Sequence, residues 1–290
     1  MKVLLLGKSG QLGGDLMDYF STSENGNQYL FYSRSDLDIE DLDNLKAHLQ
    51  DQDFDLLINC TSVHKTDQIE IEAASAFRVN VRAVKVMAAC CNAKGSKFMH
   101  ISTDYVFGAG HHKVPINENT LAAPLNVYGA SKALGERLAL IENPSTYILR
   151  VASLFGVRGA SGKGGNFIET MLKLSSENDE IKVVNDQFMS PSFTEDVAKM
   201  IGRLIEKPVC PGIYHLVNSG KATWYDLADY VVKKVGNKCS VLPCTSNEFP
   251  TIAMRPNYSV LDNSKAILLL GEIPHWENAV DRYLKKKGHI

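Results

Sequence analysis

Tyr128 and Lys132 stand four residues apart in the stretch Asn126-Val127-Tyr128-Gly129-Ala130-Ser131-Lys132. On a helix, that spacing puts a phenol and an ammonium on one face, within reach of one reacting centre. A phenol with an ordinary pKa near ~10 is a poor proton donor or acceptor at neutral pH. A cation held beside it favours the phenolate and lowers that value. The pair is therefore expected to act as a tuned general acid, and it needs a partner that supplies hydride. Tyr and Lys also meet at this spacing on many ordinary helices, so the surrounding sequence has to decide.

The first residues provide a site for such a partner. Gly7-Lys8-Ser9-Gly10-Gln11-Leu12-Gly13 follows an apolar run, Val3 to Leu6, and opens a helical pattern. In that position Gly7 permits a tight turn, Gly10 lets the backbone approach a pyrophosphate, and Gly13 lets helix and strand pack closely. The free N–H groups of Gln11, Leu12 and Gly13 at the helix start then face the anion. The Gly7-Lys8-Ser9 triplet does not make the other common phosphate loop, because the position five before Gly7 is Lys2 and not glycine. At the end of the second strand the text reads Tyr32-Ser33-Arg34-Ser35. Arg34 stands where a ribose 2′-phosphate is met, which leans the cofactor toward NADPH with NADH left open. Asp38 and Ile39 just beyond are expected to flank the adenine.

Ser102-Thr103-Asp104 closes the fourth apolar run, at the carboxyl edge where ligands of open α/β sheets sit. A hydroxyl there, beside the Tyr128 ring, can hold a substrate oxygen while its charge changes; a plain strand-end cap is the alternative for Thr103 or Asp104. Dinucleotide loop, strand-end Thr and Tyr-x-x-x-Lys agree in order and placement.

Positioning these groups takes a scaffold. The first half alternates strand candidates (2–6, 29–32, 56–59, 97–102 and 145–151) with helical patterns (11–20, 42–50, 73–93 and 131–141), as parallel βαβ units do. The expected fold class is α/β: a Rossmann-type doubly wound parallel sheet with a smaller interwoven substrate-binding domain. Residues 1–152 are assigned to the dinucleotide-binding domain, with a return of 181–207, and 153–290 mainly to the substrate-binding domain. Helices are expected at 166–176, 194–206, 224–235 and 276–285, with a strand at 181–184.

The chain has 290 residues, 44% hydrophobic and 22% charged, with 31 basic and 33 acidic side chains for a formal net charge of −2. Such a balance advertises neither a nucleic-acid nor a membrane surface, and no run of about 18 apolar residues is present to span a bilayer. The six cysteines show no Cys-x-x-Cys spacing; Cys90 and Cys91 are expected as reduced core thiols, in keeping with a cytoplasmic protein. His111-His112 is expected as an exposed loop, and no metal site is expected.

These motifs resemble those of the extended short-chain dehydrogenase/reductases, and more closely of the dTDP-4-dehydrorhamnose reductases. The similar text runs along nearly the whole chain: Gly7 to Gly13, Ser102 to Phe107, Pro124 to Gly129, Asn185-Asp186-Gln187-Phe188, Gly212 to Leu216, and Arg255-Pro256-Asn257-Tyr258-Ser259. The resemblance implies a catalytic set of Thr103, Tyr128 and Lys132, with Tyr128 protonating a 4-keto oxygen and Lys132 also on the nicotinamide ribose. It implies Thr61, Ser62 and Val63 along the cofactor, and Asp104, Ser153, Asn166, Gln187 and Arg255 on the substrate side, Arg255 at the nucleotide diphosphate. NADPH, a nucleotide-sugar substrate and a homodimer come with it. Two departures stand out. Ser153 occupies a position where relatives carry a Trp that stacks on the sugar nucleotide, and Asn59-Cys60-Thr61-Ser62 replaces a run of alanines with a more polar floor. Asp67 and Glu70 match acidic positions. A sugar-nucleotide epimerase or dehydratase shares the fold, although dehydratases place Asp-Glu where this chain has Asp104-Tyr105. A non-catalytic NADP-binding subunit, like the β-subunit of methionine adenosyltransferase, is the third reading.

Overall fold

The computed structural model describes residues 1–110, 113–159 and 165–290. His111-His112 and most of the Gly-rich stretch after Val157 lie outside the described residues. The first half runs β1 (Lys2–Leu6), α1 (Gln11–Ser21), β2 (Gln28–Tyr32), α2 (Leu42–Asp51), β3 (Leu56–Asn59), α3 (Thr66–Ile71), α4 (Ala74–Phe77), a π-helical turn at Arg78–Ala83, α5 (Val84–Lys94), β4 (Lys97–Thr103), α6 (Val127–Glu142) and β5 (Thr146–Val151). The second half runs β6 (Leu154–Phe155), α7 (Phe167–Glu177), β7 (Glu180–Val184), β8 (Phe188–Met189), β9 (Ser192–Phe193), α8 (Thr194–Glu206), β10 (Gly212–His215), β11 (Ala222–Thr223), α9 (Trp224–Lys234), β12 (Ser240–Cys244), α10 (Ser264–Leu270) and α11 (Trp276–Lys287).

Among the described residues, six strands form one parallel sheet in the order β10-β5-β4-β3-β1-β2. Val3 to Leu6, Leu56 to Asn59 and all of Thr146–Val151 are buried, as expected of strands covered on both faces. One face packs on α1, α8 and α10 through Leu12, Leu16, Val197, Ile201 and Leu270; the other packs on α2 and α5 through Leu45, Leu49, Val84 and Met87. Chain order reverses between β1 and β3, so the loops after those strands part there and open a crevice. A second unit packs α7, α9 and α11 around Trp276, Val280 and Tyr283, with β7 paired in parallel to β12.

The helical pattern expected at 73–93 is one continuous path, but it widens into the π-helical turn. The strand at Glu180–Val184 pairs with β12 and stays in the second unit; what rejoins the large sheet is α8, against α1, and the edge strand β10. β10 is absent from the sequence-based strands because its four residues, Gly-Ile-Tyr-His, carry no period long enough to read.

Helix α6 is set against the sheet with little freedom. Asn126 caps it, its side chain accepting from Gly129 N at 2.8 Å. Glu70 accepts from Val127 N at 2.7 Å. A Cβ on Gly129 would collide with the Tyr105 carbonyl oxygen, so only glycine allows this approach. Two turns beyond Tyr128, buried Glu136 takes Arg150 Nε at 2.9 Å and Arg150 Nη2 at 2.7 Å, and also accepts from Ser102 Oγ at 2.5 Å. Removing one partner of such a pair strands a buried charge. We expect Arg150→Ala to lower unfolding free energy by about 3–5 kcal/mol in urea titrations. A loss no larger than the ~1 kcal/mol of an exposed pair would show that α6 is held by other means.

Candidate active site

A cleft of about 1570 Å³ opens at the carboxyl edge of the sheet and runs into the second unit. It exceeds the ~300–1,000 Å³ typical of a site for one small ligand, so it has room for two. At one end Gly7, Gly10, Gln11, Leu12 and Gly13 line it. Gly7 has φ +95°, and Gly10 N donates to the Gly7 carbonyl at 3.0 Å. A Cβ on Gly13 would strike that same carbonyl. Helix α1 begins here with no side-chain cap and no acidic residue in its first turn. Bare N–H groups and the positive end of the helix dipole therefore face the cleft, and this cradle fits a dinucleotide pyrophosphate.

The adenosine end is more crowded with charge than the sequence suggests. Arg34 lines the cleft with Asp38 and Ile39, but its guanidinium is exposed and shared between Glu40 at 3.1 Å and Asp38 at 3.7 Å. Lys8 reaches Asp36 at 2.9 Å and the Phe31 carbonyl at 3.2 Å. Ion pairs this exposed exchange readily, and a ribose phosphate has to compete with two carboxylates for Arg34.

At the sheet edge, the loop after β3 brings Thr61, Ser62 and Val63 beside Thr103, Asp104, Tyr128 and Lys132. The hydroxyls of Thr103 and Ser62 hydrogen-bond the Tyr128 phenol and favour its ionised form, but burial outweighs them and pushes the phenol up to about 12. Lys132 does not provide the lowering expected from the sequence. Its side chain is buried and turned toward β4, donating to the Ile101 carbonyl at 2.7 Å and meeting His100 Nε2 at 3.0 Å. Burial brings Lys132 down to about 8, partly opposed by Glu136. Burial likewise raises Asp104 to about 6, against the pull of hydrogen bonds from Ser259 Oγ at 2.6 Å and Thr103 Oγ1 at 3.1 Å.

Of the expected substrate-side residues, Ser153, Gln187 and Arg255 line the cleft. Ser153 has φ +42°, a left-handed backbone unusual for a residue with a side chain. Arg255 pairs with Asp67 at 2.7 Å and lies over the Tyr105 ring at 5.9 Å. Asn166 is not among the lining residues. It caps α7, accepting from Glu169 N at 3.2 Å, and its amide donates to the Gly156 carbonyl and the Tyr283 hydroxyl. In this structure that side chain serves the helix start and does not line the cleft.

Sequence reasoning missed Asn80, His100, Phe167 and Trp224. Asn80, fully buried in the π-helical turn, accepts from Val63 N at 3.0 Å and Ser62 Oγ at 3.2 Å. Its amide donates to the Val63 carbonyl at 2.9 Å and Ser131 Oγ at 3.0 Å. It thus ties the Thr61–Val63 loop to the helix of Tyr128. The available signal was a polar residue inside the apolar face of 79–84. Phe167 and Trp224, ring centroids 4.7 Å apart, wall the far end of the cleft. Among the described residues no three His, Cys, Asp or Glu side chains are grouped to hold a metal ion, and no helix is long and apolar enough to cross a membrane.

The family described as RmlD substrate binding domain matches residues 1–288. The chain is 33% identical to the spore coat polysaccharide biosynthesis protein SpsK of Bacillus subtilis, over 99% of this chain and 98% of that one. It is 35% identical to a dTDP-4-dehydrorhamnose reductase of Aggregatibacter actinomycetemcomitans, over 96% of this chain and 97% of that one. The solved dTDP-4-dehydrorhamnose reductase of Bacillus anthracis, in complex with NADP, superposes with a TM-score of 0.89 at 31% identity, covering 98% of this chain and 99% of that one. A glycine cradle, a strand-end Thr and a Tyr–Lys helix at one sheet edge, in a chain matched end to end, make this protein a member of the RmlD family, within the extended short-chain dehydrogenase/reductases and alongside the dTDP-4-dehydrorhamnose reductases.

Proposed function

We propose that this chain is an NADPH-dependent reductase of a nucleotide-linked 4-keto-6-deoxysugar, with dTDP-4-dehydrorhamnose as the leading substrate. The observation that carries this reading is the meeting of Thr103, Tyr128 and Lys132 at the sheet edge, in the same cleft as the glycine cradle. Gly7 to Gly13 and the start of α1 hold the pyrophosphate, and Thr61 to Val63 line the nicotinamide side. NADPH, when bound, supplies the hydride that goes to the carbonyl carbon. The Thr103 hydroxyl, turning its hydrogen from Asp104 to the substrate, holds the carbonyl oxygen, and Tyr128 delivers the proton to it, so C=O becomes CH–OH. A phenol pushed up to about 12 remains protonated through the neutral range, which is the state a donor needs. Lys132, in its cationic form, takes the nicotinamide ribose and so holds the cofactor beside Tyr128. Arg255, freed from or shared with Asp67, meets the nucleotide diphosphate with its planar fork. The reaction belongs in the cytoplasm, in keeping with the buried free thiols Cys90 and Cys91. A homodimer is the assembly we propose for it.

A dehydratase is less well supported. It needs a second acid beside Asp104; the neighbour is Tyr105, and both Asp104 oxygens are already engaged by Thr103 and Ser259.

The deciding experiment is loss of reduced-nicotinamide absorbance with freshly generated dTDP-4-keto-6-deoxysugar, the product identified by NMR. Production of dTDP-L-rhamnose supports the full reading, and another reduced sugar moves the substrate. NADPH binding without turnover of any keto-sugar nucleotide overturns it in favour of a binding subunit. With the natural substrate, Tyr128→Phe is expected to cut kcat by about 10²–10⁴-fold, the usual contribution of a general acid, while NADPH affinity by fluorescence titration stays within a few-fold. A near-normal rate would remove Tyr128 from the mechanism. The pH profile supplies a further check. Lys132 is lowered from its usual range to about 8 by burial, so it is cationic below that pH and neutral above it. The rate should therefore fall above about pH 8, roughly tenfold per unit; an alkaline limb appearing only near the ordinary lysine range of ~10 would contradict this.

A further inference from the structure

Behind Lys132 lie two buried polar side chains, His100 and Asn59, that the mechanism above does not use. His100, fully buried in β4, meets Lys132 Nζ through Nε2 at 3.0 Å and Asn59 Nδ2 through Nδ1 at 3.1 Å. Asn59, also fully buried at the end of β3, is oriented by its neighbours: its Oδ1 accepts from Thr61 N at 3.0 Å and from Thr61 Oγ1 at 2.5 Å. Flipping the amide would set its NH2 against a backbone N–H, so Nδ2 must be the group that faces the imidazole.

The donors can then be counted along the chain. Asn59 Nδ2 only donates, so His100 Nδ1 must accept, and a neutral imidazole in that tautomer carries its proton on Nε2. The Nε2–H points at Lys132 Nζ, which can accept only as a neutral amine; its own hydrogens serve the Ile101 carbonyl. If Lys132 is charged, Nε2 must become the acceptor, the proton moves to Nδ1, and Nδ1–H confronts Asn59 Nδ2. One donor–donor contact in a dry interior accompanies every protonated lysine.

We propose that Asn59, acting through the His100 tautomer, sets the pH at which Lys132 gains and loses its proton, making both of them positioning residues for the lysine. The inference rests on the reading of Lys132 as the cation of the site. Among the described residues, the other charged or titratable groups that act on Lys132 are Glu136 on its own helix and Cys60 after β3. Glu136 favours the cation but is engaged by Arg150 and Ser102, and the Cys60 thiol, pushed up to about 12 by burial, stays neutral. His100 itself is held well below the usual histidine range by burial and by Lys132, so its tautomer and not its charge is the variable.

The test uses the whole protein with ¹⁵N-labelled histidine. Long-range ¹H–¹⁵N spectra report which ring nitrogen carries hydrogen, and His100→Gln identifies the His100 signals by their loss. Above the Lys132 transition the wild-type ring is expected to be the Nε2–H tautomer. Asn59→Asp keeps an acceptor for Thr61 and offers Nδ1–H a second one, so its ring should switch to Nδ1–H. The alkaline limb of kcat/KM, or of NADPH affinity, should rise by about one pH unit or more. A wild-type ring protonated on Nδ1 at high pH overturns the proposal. So does a limb that moves in Asn59→Asp without a change of tautomer, since that is the bare effect of a new carboxylate. Should Asn59→Asp not fold, the wild-type tautomer decides alone. Because the tautomer needs no turnover, a protein that reduces no keto-sugar would sink the reductase reading and leave this measurement intact.

Discussion

The clasp between Glu136 and Arg150 is the interaction on which the site depends. Residues 128, 132 and 136 follow at helical spacing, so one face of α6 carries the phenol, the ammonium and the carboxylate in a row. Fixing the carboxylate to β5 through Arg150, and to β4 through Ser102, fixes the rotation and height of the whole row over the sheet edge. The cap at Asn126 and the Gly129 contact with Tyr105 secure the other end. A buried ion pair is a poor source of net stability compared with apolar packing. What it provides here is register: it accepts one placement of the helix and penalises the alternatives.

Burial then governs the proton chemistry. Withdrawal from water raises Tyr128 and Asp104 and lowers Lys132 and His100. The sequence-level idea, in which a lysine four residues on lowers the phenol, treats the two groups as if charge alone acted between them. In the folded protein the lysine is committed to the strand behind it, and desolvation is the larger effect on both. The consequence suits the reduction proposed above, in which the phenol is to keep its proton until an oxyanion develops.

Much of this was legible in the sequence. The strands and helices of the first half, the glycine cradle, and the alignment of Thr103, Tyr128 and Lys132 follow from apolar runs and spacing, because each is written in consecutive residues. The features that escaped are those written in pairs far apart in the chain. Asn166 was expected at the substrate and caps a helix, since a cap and a ligand contact call for the same side chain. Arg34 was expected to be available to a phosphate, and Glu40 shares it across a loop. The His100–Asn59 contact joins two strands through residues that look like isolated polar intrusions in apolar runs. The second unit is stitched from strands of two to five residues, too short to carry a period, and only tertiary pairing defines them.

The late arrival of β10 bears on how the chain is made. The sheet is completed at one edge by Gly212–His215, and the same core face takes Ala266, Leu270 and Ile273 from near the end of the sequence. A chain leaving the ribosome N-terminus first has β5 in hand, buried on both faces in the finished fold, long before the strand that covers its edge exists. Until then β5 offers a row of open N–H and C=O groups in an apolar segment, the arrangement most prone to pairing with another chain. The first half of the chain therefore keeps one open sheet edge until residues 212–215 have been made, and that edge is closed from within the same chain only afterwards.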